Sequence, residues 1–165
     1  MPDPLPAFTE LAGSLDYPML IVTASAGGEH AGCLVGFHTQ CSIDPPRYLV
    51  GLSDKNHTFR VADRAAALAV HLIPSRARRL AELFGGETDD GAVDKFSRCA
   101  WHPGPEGLPI LEDCPSWFAG RILDRHPLGD HVGFVLEPFA AASGDGGADF
   151  VTFQQVKDLD PGHEA

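Results

Sequence analysis

The chain has 165 residues, 44% of them apolar, with 23 acidic against 12 basic side chains and a formal net charge of −11. This length and composition suit one folded domain with its own core rather than a disordered chain, and the acidity argues against nucleic acid or anionic membranes, which need a basic footprint. No apolar run approaches the roughly 18 residues of a membrane span, and the opening MPDPLPAF lacks the basic, apolar, small-residue order of a secretory signal, so a cytoplasmic protein is expected.

In chain order, the first expected element is a short helix over residues 8–15, FTELAGSL, closed by Pro18. Two strands follow, MLIVTAS (19–25) and HAGCLVGFHTQ (30–40), with Gly27-Gly28 as the hairpin turn between them. RYLVGL (47–52) and LAVHLI (68–73) are the next strands, the second closed by Pro74. Between them, SDKNHTFRVADR reads as a helix capped by Ser53 or Asp54. SRARRLAELFGG reads as another, with Ser75 as cap, Ala77, Leu80, Ala81 and Phe84 on one face, and Gly85 as its stop. SWFAGRILDR (116–125) and HVGFVLEPF (131–139) bracket a hairpin loop, and a last short strand is expected at Phe150–Gln154.

Six or seven strands joined mainly by turns, with two or three inserted helices, predict a mainly β protein: an antiparallel barrel with helical decoration. Its core should run from about residue 15 to about 155, ahead of a short polar tail over 156–165. A doubly wound sheet fits poorly, because hairpins break the βα alternation at both ends and no GxGxxG or GxxxxGK[ST] follows a strand.

Few motifs carry chemistry by themselves. There is no GxSxG and no HExxH. The four cysteines show no CxxC spacing, so reduced thiols are expected, and Cys99 with His102 has no second ligand pair to make a metal site. Charge is more informative. Between Lys55 and Arg79 lie six basic side chains and only one acid, Asp63, a local net +5 in an acidic protein. Solvated helix faces explain such an island, and so does selection of a small phosphorylated ligand. Asn56, His57 and Thr58 read equally as helix-capping groups or as a turn offering N–H groups and a hydroxyl to phosphate. His131, in LGDH, is either a solvated loop residue or a functional one that Asp130 orients.

The ordered set Ser-x-Asp-Pro-Pro (42–46), Asn-x-Thr (56–58), Lys-Phe (95–96), GLPIL (107–111) and Gly-Asp-His (129–131), preceded by the MLIVTAS strand and glycine turn, resembles the flavin reductase-like, FMN-binding split-barrel family. The resemblance covers about residues 18 to 138. It implies an antiparallel split barrel that dimerises with itself, binds FMN or FAD near the interface, oxidises NADH or NADPH, and in many members supplies reduced flavin to a separate monooxygenase.

By position, the resemblance puts Gly36, Phe37, His38 and Thr39 along the flavin ring, with Ser42 and Pro45 beside it. It puts Lys55, Asn56 and Thr58 at the phosphate end with Lys95 nearby, and His131 at the flavin and nicotinamide rings as the catalytic residue. One stretch departs from the pattern. Where the family carries a small polar run, this chain reads Leu34, Val35, Gly36, Phe37, His38, so backbone N–H groups there would replace side-chain donors. The alternatives are a flavin-binding protein without turnover, or an oxidoreductase using FAD or a deazaflavin on another substrate.

Overall fold

The computed structural model describes residues 2–86, 94–144 and 149–159; residues 160–165 of the expected polar tail lie outside them. The main feature is a seven-stranded sheet in which every neighbouring pair is antiparallel. Its strands are β1 (Leu20–Ala26), β2 (Glu29–Val35), β3 (His38–Ser42), β4 (Arg47–Ser53), β5 (Ala67–Leu72), β8 (Trp117–Pro127) and β9 (His131–Ala142), in the order β2-β1-β5-β8-β9-β4-β3. The short strands β6 (Trp101–Pro103) and β7 (Pro109–Leu111) form a separate hairpin. Four α-helices complete the described structure: α1 (Leu5–Gly13), α2 (His57–Ala62), α3 (Arg78–Gly86) and α4 (Phe153–Val156).

The strand order decides the shape. β2 and β3 lie at opposite ends of the ladder, yet only Gly36 and Phe37 separate them in the chain. Laid flat, seven strands at about 4.8 Å spacing would put the edges roughly 29 Å apart, whereas three Cα steps reach about 11 Å at most. The sheet must therefore curl until its edges meet. Since β2 and β3 do not pair, the result is a barrel with an open seam, the mainly β antiparallel architecture expected from the sequence.

The predicted strand over 30–40 is thus two strands. β2 pairs with β1 on one edge and β3 with β4 on the other, a partition that continuous apolar character cannot reveal. The Gly27-Gly28 turn stands as predicted, with both glycines at positive φ and Ala26 opposite Glu29. β9 runs past its expected end at Phe139 to Ala142: Pro138 stays paired with Gly120 and Ala140 with Ala119, and Phe139 is the extra residue of the bulge between them. The final strand expected at Phe150–Gln154 is instead two isolated bridges, Phe150 to Pro74 and Thr152 to Pro18, followed by α4.

Helix ends also moved. α1 starts earlier than residue 8, since Pro4 and Pro6 fit a first turn that needs no N–H donors, and it ends where Ser14 turns back onto Leu11. α2 is capped by Asn56, not by Ser53 or Asp54: the Asn56 Oδ1 accepts the Thr58 N–H at 2.9 Å, while Ser53 belongs to β4. A 3-10 turn over Ser75–Ala77 leads into α3, with Pro74 rather than Ser75 in the cap position. Gly85 does not stop α3, which runs to Gly86. It lets the helix approach β2, where a Cβ would stand 2.6 Å from Leu34 Cδ2.

β1 is buried on both faces and separates two core clusters. Leu20, Val22 and Ala24 face the barrel interior with Val50, Leu52, Val70 and Phe134. Ile21 faces outward with Leu80, Ala81 and Phe84 of α3, the face predicted for that helix. Polar anchors hold the outer hairpin. Thr23 Oγ1 donates to Pro109 O at 2.7 Å. His71, fully buried, accepts the Leu111 N–H on Nε2 at 3.1 Å, so its Nδ1–H is the group that donates to Ile21 O at 3.0 Å.

Burial, ahead of the other influences, pushes the His71 pKa down to about 4. The unfolded chain binds this proton more readily, so stability is full above about pH 6.5 and is lost as pH falls toward 4, by about 3 kcal/mol from this residue. Melting temperature should therefore fall over that window. His71→Gln should be less stable at pH 7 but show a flatter profile, and equal slopes for the two proteins would contradict this assignment.

Candidate active site

A cavity of about 270 Å3 opens along the barrel seam, beside the Gly36–Phe37 link. The link is held to β4 by a 2.7 Å hydrogen bond from Gly51 N–H to Phe37 O. Glycines flank this contact closely: a Cβ on Gly51 would stand 3.3 Å from Phe37 Cβ, and one on Gly36 would stand 3.3 Å from Met19 and Tyr17, so a side chain at either would push its neighbours by a few tenths of an ångström. Phe37 therefore keeps its ring outside, 60% exposed, in edge-on contact with His131 at 4.8 Å between centroids.

His131 opens β9 opposite Ser53. Its Nδ1 lies 2.8 Å from Asp130 Oδ1, and an Nδ1–H donated there leaves Nε2 as the ring's other polar atom. Asp130 is held below the ordinary carboxylate range, first by that hydrogen bond and then by the imidazole charge, with Lys55 adding a small part. The Asp130 carbonyl accepts the Asp54 N–H at 3.0 Å, which ties the β8–β9 turn to the turn before α2. One end of the cavity is thus polar, formed by Ser53, Asn56 and His131; Tyr17, Met19 and Phe153 form the apolar end.

Of the residues assigned to the site from the sequence, Gly36, Phe37, Asn56 and His131 line this cavity, with Leu34 and Val35 of the departing stretch beside them; the other assigned residues are not among its lining. His38 is used in structure: Nε2 donates to Pro18 O and Nδ1 accepts the Tyr48 O–H, both at 2.7 Å, and burial lowers its pKa so that it stays neutral. Thr39 is exposed on β3, Ser42 is half-buried at its end, and Pro45 lies in the exposed turn that follows, after a cis Asp44–Pro45 bond. Lys55 is exposed beside Asp130, whereas Thr58 is buried and its hydroxyl has no hydrogen-bond partner among the described residues. The Lys95 ammonium is buried, donating to Gly32 O at 3.1 Å and Phe84 O at 3.3 Å.

The basic island runs from the turn before α2 to α3, and acids meet part of it. Glu29 pairs with both Arg64 and His57, Asp113 with Arg79, and Glu82 with Arg78. Those positions follow the solvated-face reading, while Lys55 lies beside Asp130, the partner of the cavity residue His131. Cys99 and His102 are not joined in a site: burial raises the Cys99 thiol, and His102 faces Glu112.

Tyr17, Phe153 and the end of β4 (Gly51, Leu52, Ser53) have no motif among the sequence-based site residues. A strand end facing a seam has no local signature, and Tyr17 and Phe153 meet because the segment before β1 pairs with residues 151–153.

The chain matches the family described as flavin reductase like domain over residues 12–156. It is 30% identical over 111 residues to FMN reductase (NADH) RutF of Bradyrhizobium diazoefficiens, which covers 67% of this chain and 61% of that protein. A longer relative from Rhizobium meliloti is matched over 40% of its length, so the chain spans about half the length of these relatives. The fold is shared with a flavin reductase domain protein from Arthrobacter (TM-score 0.81, 20% identity, 92% of this chain and 91% of that one). It is also shared with an NADH:FAD oxidoreductase from Streptomyces globisporus (TM-score 0.81, 21% identity, 92% and 90%).

Because Lys95 serves two buried carbonyls, Lys95→Met should cost about 2 kcal/mol or more in urea denaturation, the order expected when buried polar groups lose their partner. A variant of unchanged stability would mean that the ammonium is not needed there.

Proposed function

The chain belongs to the flavin reductase-like domain family, and from that premise we propose that it is a flavin reductase that passes a hydride from NADH or NADPH to FMN, with FAD as the other candidate flavin. The observation that carries the reading is the seam cavity, a slot with a polar end and flat ring-bearing walls. Its volume of about 270 Å3 lies just below the roughly 300–1,000 Å3 of ligand pockets. That size suits one flat ring system, with the remainder of the cofactor outside.

The residues fit this group, though not through the small polar side chains common in the family. Leu34 and Val35 line the slot as apolar residues that also pack on the core, and His38 is committed to Tyr48 and Pro18, which leaves the main chain of this stretch as its polar surface for a ring edge. Ser53 and Asn56 stand where a phosphate-bearing tail would leave the slot, with Lys55 in the same turn.

Flavin, when bound, supplies the hydride-accepting centre. The protein's part is to hold two flat rings in contact and to exclude water between them. Phe37 and His131 supply a wall for that contact, and Asp130 fixes the His131 ring so that Nε2 is held toward the slot. No acid–base dyad is required for direct hydride transfer, in keeping with the few acid–base motifs in the sequence.

A second copy of the chain is part of this proposal. Phe37 and Ile43, 60% and 85% exposed, flank the seam, and α1 has no buried residue while Leu5, Phe8 and Leu11 are each more than half exposed. Apolar surface of this kind is normally covered, and a homodimer would cover it and close the slot. A separate monooxygenase is the proposed recipient of the reduced flavin. No described helix is long and apolar enough to cross a membrane.

Purified protein mixed with FMN or FAD and either nicotinamide should bleach the flavin absorption band under anaerobic conditions. His131→Ala should lower kcat/KM for the nicotinamide by about tenfold or more. A flavin that binds without being reduced by either nicotinamide would leave a binding protein and overturn the reductase reading. In sedimentation the chain should run as a dimer, and Phe8→Asp with Leu11→Asp should shift it toward monomer.

A further inference from the structure

The apolar end of the slot is built from two distant parts of the chain. The Phe153 ring lies parallel to the Tyr17 ring, 5.0 Å between centroids and 9° between planes, and both rings line the cavity. Neither is fully buried, so the stack is not closed on all sides by protein.

Its position is firmly set by backbone. The Phe153 N–H donates to Tyr17 O at 2.9 Å, and the bridge between Pro18 and Thr152 joins the same segments one residue away. Gln154 follows with three more bonds: its N–H to Asp16 Oδ1 at 3.0 Å, and its Nε2 to Gly13 O and Leu15 O at 2.8 and 2.7 Å. Residues 152–154 thus strap the segment that precedes β1. The strap sets one ring of the stack, Phe153, at the cavity. Phe37 and His131, which also line the cavity, make a second aromatic pair.

We propose that the Tyr17–Phe153 stack is the wall against which a planar heteroaromatic ring seats, and that Phe153 determines recognition of that ring, the flavin's or the nicotinamide's. This rests on the flavin reductase reading of the same slot. An aromatic face prefers another flat ring in offset stacking, and both rings are held in place before the ligand arrives, which lowers the ordering cost of binding. Phe153 is therefore a specificity residue supplied by the C-terminal segment, well separated in sequence from every motif of the polar end.

Steady-state kinetics on the full chain, varying flavin and nicotinamide separately, test it. Phe153→Ala should raise KM for one of the two by about three- to tenfold with kcat within about twofold, and Phe153→Tyr should restore it, a pattern that loss of folding does not give. The substrate whose KM moves identifies the ring that seats there. If Phe153→Ala fails to fold, Phe153→Leu keeps the apolar bulk without the flat face and should show the same rise. Unchanged KM values in a folded Ala or Leu variant, with the wild type active, would overturn the wall while leaving the reductase reading in place. A wild type that binds no flavin would overturn both.

Discussion

Two residues, Gly36 and Phe37, carry the chain from one edge of a seven-stranded sheet to the other, and their short reach forces the sheet to curl. The same link then keeps the seam from closing, because its backbone pairs with Gly51 of β4 instead of continuing the β2 ladder. A curled sheet with one unsealed line along it has a ready-made slot, and its walls are the main chain of the link and the strand end opposite. Fold and site are therefore one geometric consequence, and the glycines at 36 and 51 let the link sit close to its neighbours there.

Around the barrel, stability depends on polar groups that are buried and fully used. His71 joins β1, β5 and β7 through both ring nitrogens, Thr23 reaches Pro109, and Lys95 ties the turn after α3 to β2 and to the end of α3. Each replaces water by a protein partner, so each stabilises only while its partner is present. The outer layer of α3 and the β6–β7 hairpin is attached by these anchors as well as by the apolar cluster around Phe84.

Much of the sequence reading survives because it rests on local physics. The Gly27-Gly28 turn needs positive φ, the α3 face needs a 3.6-residue repeat, and the hairpin of β8 and β9 needs two β-rich runs and a loop; all three are written within a few residues of where they act. What was missed is non-local. The division of 30–40 into two strands depends on which edge each half pairs with, and the β6–β7 hairpin has strands of three residues with prolines at their ends, too short for any periodicity. The carbonyls that hold Lys95 and the acids that neutralise Arg64 and Arg79 sit far away in sequence, so a lysine and a basic island that look available on paper are already engaged.

The sequence by itself determined the mainly β antiparallel class, the family resemblance, and four residues of the slot: Gly36, Phe37, Asn56 and His131. Local conformational preference and motif order suffice for those. Tertiary structure alone decided that His38 is a strut, that Lys95 is buried, and that Tyr17 stacks on Phe153 at the slot's apolar end. The reason is physical: a side chain's role depends on which unsatisfied donors, acceptors and ring faces folding brings within a few ångströms of it, and for these residues every such partner comes from a distant stretch of the chain.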